Sequence, residues 1–102
     1  MDELEADLQI IRRHRILFSH HSVGGNILEG MRELDAQAGG GLRIVGIDEA
    51  RSVNGGALIE CRGGRNRDPL SKIDYFMTTI RALPEPRPDV AFMKLCYVDF
   101  NP

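Results

Sequence analysis

Ser22 stands between the pair His20-His21 and the pair Gly24-Gly25, just past the apolar run Ile16-Leu17-Phe18. A serine hydroxyl at a tight strand-to-helix turn points from the carboxyl edge of a sheet, where open α/β folds hold their ligands. It also meets the free N–H groups of a helix N-terminus, which stabilise developing negative charge. Such a serine can serve as a nucleophile in acyl transfer. The same position equally suits an N-cap serine with no chemistry.

The other reactive side chains are scattered. Cys61 and Cys96 stand alone, without the Cys-x-x-Cys spacing of zinc or thioredoxin-like sites. Cys96 reads as a small core residue. His20 and His21 are adjacent and point in different directions, and no carboxylate spacing completes a metal site, so none is expected. All three histidines, His14, His20 and His21, precede Ser22. His21 is poorly placed to take the proton of its own neighbour. Lys94, within an apolar segment, requires a partner such as Asp99 or a route for its ammonium to the sheet edge.

Leu4, Leu8 and Ile11 mark a short docking helix over residues 2–11, with Asp2 as its cap. A buried strand follows Arg15. Ile27, Met31, Leu34 and Ala38 give the next helix an apolar stripe that ends at Gly39-Gly40-Gly41. Residues 42–47 read as a second strand, and residues 48–56 as a turn or loop without clear period. Residues 58–61 allow a short extra strand. Asp68-Pro69 starts a further helix with the stripe Leu70, Ile73, Met77 and Ile80, widened by Phe76, as core, ended by Pro84, Pro86 and Pro88. Residues 89–98 read as a third main strand. The order strand, helix, strand, helix, strand predicts an α/β fold with a parallel sheet.

At 102 residues the chain is one small domain, with 42% hydrophobic residues and a formal charge of −2. That charge draws it to neither nucleic acid nor an anionic membrane. The clusters Arg12-Arg13-His14-Arg15 and Arg62, Arg65, Arg67 lack interleaved aromatics and read as solvated faces. No apolar run is long enough to cross a bilayer, and two free thiols fit a reducing compartment, so the expectation is cytoplasmic.

Three blocks together resemble the SGNH (GDSL-type) serine hydrolases: His20-His21-Ser22-Val23-Gly24, Asn66-Arg67-Asp68-Pro69 with Lys72-Ile73, and Phe92-Met93-Lys94-Leu95-Cys96-Tyr97-Val98-Asp99. The resemblance runs from about Arg15 onward and covers the N-terminal portion of that fold. It implies a flavodoxin-like three-layer α/β/α architecture and ester hydrolysis through acyl-Ser22, without cofactor or metal. Its substrates would be small esters, of an acylated carbohydrate or a lipid. The expected oxyanion and substrate-binding positions are Gly64 (or Gly63), Asn66, His21 and Asp99. Two features depart from the family pattern. Cys96-Tyr97-Val98-Asp99 replaces Gly-x-Asn-Asp, and no Asp-x-x-His follows Ser22 to supply a base.

The reading is therefore the front part of a serine esterase, truncated after its third main strand. A non-catalytic α/β module binding an acyl or carbohydrate ligand at the same edge is the alternative. Self-association through the exposed third strand is a further expectation, because an uncovered apolar edge invites pairing.

Overall fold

The computed structural model of the chain describes residues 2–21 and 23–100, leaving aside the side chain of Tyr97. Helix α1 (Glu3–Arg13) starts as its cap chemistry dictates, with Asp2 Oδ1 accepting the Glu5 N–H at 2.8 Å. Leu8 is its buried residue, while Leu4 stays exposed. Near its end, Arg12 bridges to Asp35 at 2.6 Å and donates to the Ala38 carbonyl, which ties α1 to the end of α2 (Val23–Gln37).

Four parallel strands form one sheet in the order β2-β3-β1-β4: β1 (Arg15–Ser19), β2 (Ile44–Gly46), β3 (Ala57–Cys61) and β4 (Val90–Met93). The optional short strand of the sequence is β3, and it lies in the interior between β2 and β1. The segments read as second and third strands are shorter than expected. Ile47–Ser52 winds into a 3-10 helix that buries Ala50, and residues 97–100 form another 3-10 turn beyond β4. Asp68 and Pro69 do start a helix, α3 (Pro69–Ala82), with Asp68 Oδ1 accepting the Ser71 N–H.

Alternation along the strands assigns the two faces. Ile16, Phe18, Leu58 and Ile44 pack with Leu28 and Met31 of α2. Leu17, Ile59, Cys61 and Val45 pack with Tyr75, Phe76 and Ile80 of α3. Helices therefore cover both faces of a parallel sheet, the three-layer α/β/α arrangement.

The helix stripes require correction. Ile27 and Leu34 of α2 are exposed; Met31 of the expected stripe does pack against the core, joined there by Leu28. On α3, Leu70, Ile73 and Met77 are exposed, while Lys72, with Phe76 and Ile80 in the turns beyond it, takes the inward face. Periodicity finds an apolar flank, but the inward face is set by what each helix must cover. The edge strand β4 leaves Val90 and Phe92 about half exposed, although the Phe92 ring also stacks on Phe18 at 4.6 Å.

Candidate functional site

Strands β3, β1 and β4 end level, because Ser19 is in register with Cys61 on one side and Met93 on the other. Two bonds carry the alignment past the strand ends. The His20 N–H donates to the Cys61 carbonyl, and the Lys94 N–H donates to the Ser19 carbonyl, both at 3.0 Å. The segments after the three strands therefore meet at one edge. From β1 the chain leaves through α2 on one face, and from β3 it returns through α3 on the other to reach β4. Such a reversal in strand order opens a crevice beyond the carboxyl ends of the strands.

The expected site residues fall as follows. Ser22 lies outside the described residues. His21 places Nε2 at 2.8 Å from the Gly63 carbonyl oxygen. A carbonyl can only accept, so the neutral ring carries its proton on Nε2 and leaves Nδ1 bare. Gly64 has φ +80, and a Cβ there would lie 2.6 Å from the Lys72 Cα, so the loop after β3 lies flat on the first turn of α3.

Asn66 and Asp99 converge on the buried Lys72. Its ammonium donates to Asn66 Oδ1 at 2.9 Å and to Asp99 Oδ2 at 2.6 Å. An ammonium has no lone pair to offer, so the Asn66 oxygen faces it, and the amide NH2 has no acceptor among the described residues. Asp99 also accepts from the Cys96 N–H at 2.8 Å and the Arg67 N–H at 2.9 Å. The hydrogen bond from Lys72 is the main cause that holds the Asp99 carboxyl below the usual carboxylate range. Lys94 is not the partner of Asp99; its ammonium donates to the Leu95 carbonyl at 3.3 Å.

His21, Gly64, Asn66 and Asp99 are thus linked across three strand ends, with Lys72 as the hub. The block that holds Lys72 and Ile73 gives the lysine no role of its own, since its carboxylate partner is 27 residues away.

No family model matches this chain, and no curated protein or solved structure matches it closely enough to count. What this edge can do follows from its own groups. Its cysteines do not supply a nucleophile: both are buried, and burial pushes the Cys61 thiol up, keeping it protonated at neutral pH. Among the described residues, no three His, Cys, Asp or Glu side chains gather where they could hold a metal ion. No described helix is long and apolar enough to cross a membrane. A groove of about 510 Å³ opens elsewhere, between the first 3-10 helix and α3, lined by Ile47, Ala50, Tyr75, Thr79 and Leu83. It holds no linked polar cluster of the kind found at the carboxyl edge, which remains the better candidate.

His20 is a packing residue. Its ring is 1% exposed, stacks on Phe18 at 5.0 Å, and places Nε2 3.4 Å from Glu60. Neither ring nitrogen makes a hydrogen bond among the described residues. The ring fills the space beside Gly24, where a Cβ would come within 2.3 Å of the His20 Cβ. Gly24→Ala is therefore expected to push α2 off β1 and cost about 1–3 kcal/mol in urea denaturation. Gly25 has open space around it, so Gly25→Ala should cost nothing and gain up to ~1 kcal/mol. Equal effects of the two substitutions would refute this account of the turn.

Proposed function

We propose that the carboxyl edge is an acyl-transfer site of the serine-esterase type, with Ser22 as nucleophile, in keeping with the resemblance to SGNH hydrolases. The observation that carries this reading is the convergence of His21, Gly64, Asn66 and Asp99 where the strand order reverses. In the reaction, Ser22 Oγ bonds to the ester carbonyl carbon, the alkoxide leaves with a proton, and water then releases the acid. The Asn66 NH2 and backbone N–H groups at this edge are suitable donors to the tetrahedral oxyanion.

No histidine follows Ser22, and His21 is engaged with Gly63. Where residues 1–102 act without a further base, hydroxide or buffer must take the proton, turnover is slow, and activated reagents react best. The substrate class is a small ester, of an acylated carbohydrate or a lipid, and the two buried thiols suit a reducing, cytoplasmic setting.

The test is treatment with an alkyl fluorophosphonate, in which an Oγ–P bond forms and fluoride leaves. Mass spectrometry should find the adduct on the peptide carrying Ser22, and Ser22→Ala should abolish it. Unmodified Ser22 after prolonged treatment would sink the reading. The engagement of His21 with Gly63 favours one alternative, a non-catalytic pocket for an acyl or carbohydrate ligand. Saturable binding without an adduct would establish that instead.

A further inference from the structure

The loop after β3 carries three arginines, and their surroundings differ. Arg65 is paired with Asp68 at 2.8 Å. Arg62 and Arg67 are exposed, and their guanidinium groups have no partner among the described residues. Two of the nearby carboxylates are already engaged: Asp68 serves Arg65 and the Ser71 N–H, and Asp99 serves Lys72 and two backbone N–H groups. Glu60, beside the His20 ring without a hydrogen bond to it, is the third. Arg62, Arg65, Arg67 and Lys72 therefore outnumber the carboxylates of this edge, and positive charge is left in excess at its rim, although the whole chain is at −2.

Arg67 adds a second observation. Among the described residues it is the non-glycine residue with positive φ, at +67, and it is the second residue of the two-residue turn between the bridged Arg65 and Asp68. Glycine or asparagine would take that conformation more easily. The Asp99 carboxylate fixes the Arg67 backbone there through its N–H. The chain thus accepts a strained backbone at the residue that presents a free guanidinium, and strain of this kind gathers at binding sites.

We infer that the ligand taken at this edge carries a negatively charged group, a carboxylate, sulfate or phosphate, read by Arg62 and Arg67. The inference deepens the acyl-transfer reading, since the anionic group would sit on the acyl part of the ester. An excess of positive charge at the rim attracts ligands of the other sign, and a guanidinium holds such groups by paired, charge-assisted bonds.

The experiment compares acylation of Ser22 by mono-p-nitrophenyl succinate and by uncharged p-nitrophenyl pentanoate. In parallel, the 15N-labelled chain is titrated with succinate and followed by NMR. The anionic ester should react about tenfold faster. Salt should reduce that preference, and Arg62→Gln with Arg67→Gly should remove it. Arg67→Gly also relieves the backbone, so its melting midpoint should hold or rise, which separates lost binding from lost folding. Equal rates for the two esters would overturn the charge inference and leave the serine reading intact. No acylation, with succinate shifting the amides of residues 62–67, would overturn acyl transfer and keep the anion site. No acylation and no shifts would overturn both.

Discussion

Asp99→Asn is expected to lower the melting midpoint by more than ~10 °C. The reason lies in the sign of every partner. Asp99 receives hydrogen bonds from the Lys72 ammonium, the Cys96 N–H and the Arg67 N–H, so both its oxygens face donors. An asparagine NH2 must confront one of them whichever way it turns, and the Lys72 charge, 2% exposed, loses its counter-ion. Adding Lys72→Met should restore part of the loss, because removing both members of a buried pair costs less than removing one. A double-mutant cycle by thermal melting checks this; additive losses would show that the pair is not coupled.

The same pair sets a pH dependence. The folded Asp99 carboxyl is held below its unfolded value, first by Lys72, against an opposing effect of burial and with help from the two backbone N–H groups. A depressed carboxyl contributes stability that is complete above the unfolded value of ~4 and fades as the pH falls through the folded one. Asp68 and Asp89 are shifted the same way. Stability should therefore stay level from neutral pH to about 5 and then decline, with a shallower decline in Asp99→Asn.

The second large effect belongs to Arg15. This arginine is 6% exposed, yet its side chain is bonded to no carboxylate. Its guanidinium donates instead to the carbonyls of Ala50, Val53, Gly55 and Pro86, at 2.7 to 3.1 Å. One side chain thereby gathers both connections that cross below the sheet, before β3 and before β4. Arg15→Met leaves four carbonyls without this donor and should cost about 3–5 kcal/mol in urea denaturation. That is a large share of the ~5–15 kcal/mol that holds a domain together. Arg15→Lys should recover little, because a single ammonium cannot span acceptors set out for a planar fork. A lysine variant as stable as the parent would refute the clamp.

What could be read from the sequence was what local chemistry decides. The Asp68-Pro69 start of α3, the Asp2 cap and the apolar β1 are all signalled within a few residues. Pairing was less visible. Ala57–Cys61 is too short to show a period, and only its neighbours β1 and β2 make it an interior strand. Apolar spacing locates the inward faces of α2 and α3 only in part: Met31 and Ile80 pack against the core, but Ile27, Leu34, Ile73 and Met77 are exposed, and α3 turns a lysine inward. That choice makes sense only once Asp99 has folded back over it. Each candidate residue is visible by itself in the sequence, whereas the role of Lys72 in joining them is not.

The placement of β1 also governs how the chain reaches this structure. Its partners lie far along the sequence: Ile16 pairs with Leu58 and Val90, closing loops of 58 − 16 = 42 and 90 − 16 = 74 residues. Strand β1 precedes both of its partners, and β4 supplies its second row of backbone partners only once residues 90–93 have been made. Folding therefore bears a high loop-closure entropy before the sheet rewards it, and the rate is set by topology more than by helix formation.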